Sequence, residues 1–168
     1  MALPTLEVPT YELELPSTGK TVKFRPFLVK EHKILMMLMD NDIGEVSRGV
    51  IDLVDACTFN KLAMSKLSHF DVEYIFLQLR SKSIGENVEL IVNCPCGAKL
   101  PHVVSLEDIV VENTEGFSKK IMITDNIGVV MKFPTFEQIF KIYENELDVD
   151  YIMQVVEDCI ETVFQDDK

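Results

Sequence analysis

Tyr11-Glu12-Leu13-Glu14-Leu15 alternates apolar and acidic residues at the period of a β-strand. Thr21-Val22-Lys23-Phe24-Arg25 resumes that alternation with basic residues outside. Pro16-Ser17-Thr18-Gly19 between them supplies turn chemistry, so the chain opens as a β-hairpin whose acids and bases can pair across the ladder. Pro26 ends the ladder because it lacks the N–H of a further rung. From Val29 the apolar spacing changes to that of a helix. A chain that begins with a hairpin and then switches period is neither all-α nor all-β.

The helical stretch continues to residue 84. Ile34, Leu35, Leu38 and Met39 share one face, Gly44 marks a break, and Val46, Val50, Leu53, Val54 and Cys57 carry the stripe onward. A third helix opens at Ser68, with Asp71 completing a capping box and Phe70, Tyr74, Leu77 and Ile84 facing inward. Strand patterning then returns. Val88–Val92 runs into the tight turn Asn93-Cys94-Pro95-Cys96-Gly97, and Leu100–Leu106 leads back. Ile109–Val111, Lys120–Thr124 and Val129–Phe133 are further strand candidates. After Pro134, Thr135 and Gln138 form a second capping-box pair. Helical stripes follow at Phe136, Ile139, Phe140 and Tyr143, and at Val149, Ile152, Met153, Val156, Ile160 and Val163.

The expected fold is therefore one α+β domain over 1–168. It divides into a β-hairpin (1–28), helices (29–84), a small central antiparallel β-region with the Cys-Pro-Cys-Gly turn (85–133) and acidic helices (134–168).

The balance of charge bears on partners. Sixteen basic and 28 acidic residues give a net charge of −12, which opposes binding to nucleic acid. From Thr135 to Lys168 there are ten acids against two lysines, either a solvated helix face or a surface for a basic partner. No apolar run approaches the length of a membrane span, and the first residues lack a signal-peptide pattern, so a cytosolic protein is expected. The four cysteines, Cys57, Cys94, Cys96 and Cys159, do not form a disulfide framework in such a chain.

Candidate chemistry is sparse. Ser17-Thr18-Gly19-Lys20-Thr21 resembles the end of a P-loop, but Glu14 stands where the first glycine belongs and no helix follows. Asp40–Glu45 lacks the calcium-loop spacing. Cys94-Pro95-Cys96-Gly97 is the most informative cluster, since such a turn between strands can aim two thiolates at one zinc ion, with His102 as a third ligand. A degenerate knuckle or a plain turn is the other reading of it. Cys57 and Cys159 lie on apolar helix faces and read as core. Cys94 with His102 is a nucleophile–base pair on paper only, and nothing makes His32, His69 and His102 converge. The methionines, three of them at Met36, Met37 and Met39, are either core or an adaptable interface.

The blocks Pro9-Thr10-Tyr11-Glu12-Leu13, Leu15–Lys20 and Phe24-Arg25-Pro26-Phe27-Leu28-Val29-Lys30-Glu31, with Phe76–Glu86, the Asn93–Gly97 turn and Phe133-Pro134-Thr135, are similar to the baseplate protein family of T-even-like contractile-tailed bacteriophages. The resemblance covers nearly the whole chain. It implies a non-enzymatic role in tail assembly, as a baseplate hub component or as a chaperone that helps the hub form. It also implies contacts with other hub proteins and self-association, in the host cytoplasm during assembly and in the virion baseplate. No cofactor, nucleic acid, membrane or small-molecule substrate is expected. The contact residues it suggests are Tyr11, Phe24, Arg25 and Phe27 on the hairpin, and Arg80 and Lys82 after the third helix. The alternative is a small zinc-binding regulatory module centred on Cys94, Cys96 and His102.

Overall fold

The computed structural model describes residues 8–38, 42–112, 117–144 and 147–165. Met39, Asp40, Glu146 and the terminal Asp166, Asp167 and Lys168, all read from the sequence above, lie outside them.

Strands β1 (Tyr11–Glu14) and β2 (Thr21–Phe24) form the expected hairpin, with Tyr11 opposite Phe24 and Glu12 opposite Lys23. Lys23 Nζ lies 3.1 Å from Glu12 Oε1, the cross-strand pair that the charge pattern suggested. Gly19 closes the turn at φ +67°, a conformation that side chains with a Cβ rarely adopt.

Helices α1 (Val29–Leu38), α2 (Ile43–Cys57) and α3 (His69–Ser83) follow. Gly44 is not the break: Asp42 caps α2 by accepting from Glu45 N at 2.9 Å, which places Gly44 in its first turn. One core joins hairpin and helices. Leu13, Leu15, Val22, Phe24 and Phe27 pack with Val50, Leu53, Val54 and Cys57 of α2 and with Val72, Ile75 and Leu79 of α3. The buried face of α3 is thus not Phe70, Tyr74, Leu77 and Ile84. The helix is apolar on several sides, and the turn that locks it to the hairpin decides its rotation.

That lock is Asp71, fully buried. Its carboxylate accepts Ser17 N at 3.0 Å, Ser17 Oγ at 2.5 Å and Ser68 Oγ at 2.5 Å. Ser68 therefore donates to Asp71 and makes no side-chain cap bond to α3. The second expected box is present, with Thr135 N donating to Gln138 Oε1 at 2.9 Å and Gln138 N to Thr135 Oγ1 at 3.3 Å.

The central β-region is two sheets. Strands β3 (Asn87–Asn93) and β4 (Lys99–Ser105) pair with each other over seven rungs and, among the described residues, with no other strand. Strands β5 (Lys120–Met122), β6 (Ile127–Met131) and, from the C-terminal stretch, β7 (Ile160–Gln165) form a three-stranded antiparallel sheet of order β5-β6-β7. The expected strand at 109–111 is absent.

Helices α4 (Phe136–Glu144) and α5 (Val149–Asp158) occupy the C-terminal stretch, but it ends in strand β7 (Ile160–Gln165), against the expectation of helix throughout. Ile160-Glu161-Thr162-Val163-Phe164 is rich in β-branched and aromatic residues, and β6 offers it a free edge. Gly128 makes room for this strand: a Cβ there would lie 2.3 Å from Cζ of Phe164, its cross-strand neighbour. Lys120 Nζ sits 4.1 Å from the centre of the same ring.

Candidate protein-interaction site

The residues expected to meet partners are mostly engaged within the chain. Phe24 and Phe27 are core side chains, which corrects their reading as surface contacts: the inward side of the hairpin covers α2 and α3. Arg25 and Glu31 form a two-point ion pair, Nη1 to Oε2 at 3.0 Å and Nη2 to Oε1 at 2.7 Å. Arg25 Nη1 also donates to Pro26 O, and Leu28 N donates to Glu31 Oε2 at 2.7 Å. The pair thereby fixes the bend between β2 and α1. The hydrogen bond from Arg25 holds the Glu31 carboxyl below its ordinary value, and the same bond raises Arg25.

The Arg80–Ser83 block also faces inward. Ser83 Oγ accepts Phe27 N at 3.0 Å, so Arg25-Pro26-Phe27 and Arg80–Ser83 meet at the joint between hairpin and α3. Ser81 is buried, and its Oγ and Arg80 Nη1 have no hydrogen-bond partner among the described residues. Lys82 Nζ bridges Glu86 and Glu107, at 2.9 Å each, and ties α3 to both strands at the base of the β3–β4 ribbon. The hydrogen bond to Glu86, then that to Glu107, raises its pKa. Tyr11 remains half-buried, its ring 5.6 Å from that of Phe24.

The cysteine turn is a tight knuckle, with Gly97 N donating to Cys94 O at 2.8 Å and Cys94 N to Ala98 O at 2.9 Å. Cys94 and Cys96 stand together, their sulfurs 3.0 Å apart. His102 does not join them. It lies opposite Leu90, three rungs below Asn93–Lys99, which at the strand rise is roughly 10 Å down the ribbon. That spacing removes His102 both as a third metal ligand and as a base for Cys94. No group of three or more His, Cys, Asp or Glu placed to hold a metal occurs among the described residues. The hydrogen bond between the two sulfurs lowers the pKa of the exposed Cys96 thiol, whereas burial pushes Cys57 up to about 11 and also raises Cys159.

Exposed apolar surface lies elsewhere. Helix α1 buries no residue fully and displays Val29, Ile34, Met36 and Met37, each more than half exposed. An open groove of about 560 Å³ runs between α1 and α2, floored by Leu35, Leu38 and Leu53 and edged by Lys30, Arg48 and Asp52. Met36 and Met37 are exposed side chains of α1 rather than core, and neither lines the groove. The β3–β4 ribbon is the second surface. Leu90, Ile91, Val92, Leu100 and Val103 are 47 to 67 % exposed, and only its base, at Val88, Val104 and Leu106, enters the body of the protein.

Two exposed apolar surfaces, on α1 and on the β3–β4 ribbon, are the features that offer contacts to another protein. The family model described as T4 bacteriophage base plate protein matches residues 8–168. The chain belongs to that family. No curated protein matches it, and no solved structure does. As a phage baseplate protein it works among other phage tail proteins. No described helix is long and apolar enough to cross a membrane.

The sequence pointed to α1 only through its methionines, as one of two readings, and did not point to the ribbon as a site. For the ribbon a signal was present: Leu90, Ile91 and Val92 run apolar on both faces of the strand, within a segment that holds one acid, Glu89, and one base, Lys99.

Proposed function

We propose that this baseplate protein serves the hub, as a subunit or as an assembly chaperone, and acts through protein–protein contacts rather than catalysis. The family match over residues 8–168 carries the reading. The apolar surfaces of α1 and the β3–β4 ribbon support it, because contiguous apolar patches on a folded chain mark sites that another protein covers. The role needs no cofactor. Its partners would be other hub proteins, met in the host cytoplasm during assembly. The acids of the C-terminal stretch would steer encounter with a basic hub surface.

Quantitative mass spectrometry of purified particles and of assembly intermediates tests this. The chain is expected with hub-containing intermediates. Fixed copy number in particles as well makes it a subunit, and loss from particles makes it a chaperone. Absence from both overturns the hub reading.

A further inference from the structure

The β3–β4 ribbon has two edges, and they are not alike. Cys94 N bonds to Ala98 O, and Leu106 N to Glu86 O. In an antiparallel ladder the bonded pairs alternate, so Val88–Val104, Leu90–His102 and Val92–Leu100 bond inward. The backbone groups of Glu89, Ile91 and Asn93 on β3, and of Lys99, Pro101 and Val103 on β4, then point outward. Pro101 has no N–H to offer, which blunts the middle of the β4 edge. The β3 edge carries no such guard, and among the described residues no other strand pairs with it.

Charge selects the occupant. The chain carries −12, yet the ribbon from Asn87 to Ser105 holds one acid, Glu89, and one base, Lys99. It is a neutral apolar arm on an acidic protein, so two acidic copies can meet there without like-charge repulsion between their ribbons. Its edge is also self-complementary. Antiparallel pairing centred on Ile91 places Glu89 against the partner's Asn93, not against another acid. Leu90 then stands beside the partner's Val92, which extends the apolar face across the junction.

We propose that β3 pairs with β3 of a second copy, centred on Ile91, to give a two-fold dimer with one four-stranded sheet. Pro101 closes the outer edges of that sheet, so association stops at two. The pairing goes beyond the hub reading and is tested on the purified full-length chain, so its failure leaves that reading standing.

Light scattering over a range of concentrations, with hydrogen exchange, decides it. The wild type is expected to reach the mass of a dimer, with slow exchange at the amides of Glu89, Ile91 and Asn93. Ile91→Pro removes an outward N–H that the ribbon's own ladder does not use, so it should be monomeric with an unchanged circular dichroism spectrum. Asn93→Glu sets an acid against Glu89 twice per dimer and should weaken it about tenfold, and Glu89→Lys in the same chain should restore it. A wild type that stays monomeric with those amides exchanging freely overturns the proposal. So does a dimer that neither Ile91→Pro nor Asn93→Glu weakens, since a partner on another surface would then account for it.

Discussion

Replacing Asp71 by alanine tests how the hairpin is fastened to α3. The carboxylate is fully buried and accepts three hydrogen bonds, two from Ser17 and one from Ser68. Bonds to a carboxylate contribute about 1.5 kcal/mol or more each. Ser17 is half-buried, so its freed groups regain water, while Ser68 is 6 % exposed and its hydroxyl stays dry. The net cost is then about 3 kcal/mol, and Asp71→Asn, which keeps the shape and one acceptor oxygen, costs about half as much. For a chain of this size that is a fall of about 6–12 °C in Tm. Urea unfolding should show a lower midpoint at unchanged slope. The opposing effect is the cost of burying the carboxylate, which the substitution removes. If desolvation outweighs the hydrogen bonds, Asp71→Ala will be neutral or stabilising, and the lock described here is wrong. Zero coupling between Asp71→Ala and Ser17→Ala in a double-mutant cycle would refute it equally.

Other outcomes follow from the same geometry. Glu31 is held below its ordinary value of 4.5, so the folded chain keeps it ionised to lower pH than the unfolded chain does. Its contribution is complete above about 4.5 and is lost as pH falls through the folded value. Glu31→Gln should therefore lower stability at neutral pH and flatten its decline in acid, as followed by urea midpoints against pH. Alkylation near neutral pH, mapped by mass spectrometry, should label exposed Cys96 first and leave buried Cys57 and Cys159 untouched until the chain unfolds. Gly128→Ala should push the Phe164 ring off β6 and its contact with Lys120, which amide exchange in β7 would report as earlier opening.

The hairpin, α2 and the helix starting after Thr135 were legible because period and turn chemistry are local properties. Strand β7 was not. Val156, Ile160 and Val163 continue the helical stripe of α5, while the edge that converts Ile160–Gln165 to strand belongs to β6, far upstream at Ile127–Met131. The face of α3 was misread for a similar reason, since several of its sides are apolar and a long-range bond to Ser17 sets its rotation. At the site, charged residues were read as surface. Arg25 is instead answered by Glu31 and Lys82 by Glu86 and Glu107, pairings that spacing alone does not announce. The exposed ribbon is the converse case. Its strands were plain in the sequence, but exposure depends on what fails to pack against them.

The central claim is that exposed surfaces of this protein, α1 above all, are covered by other baseplate proteins. Lys30 and Lys33 lie exposed on α1, next to its bare apolar face. Lysine cross-linking of isolated assembly intermediates, read by mass spectrometry, examines that contact directly. Cross-links from Lys30 or Lys33 to another baseplate protein are the predicted result. Intermediates that contain the chain, yet yield cross-links from it only to itself, would contradict the account.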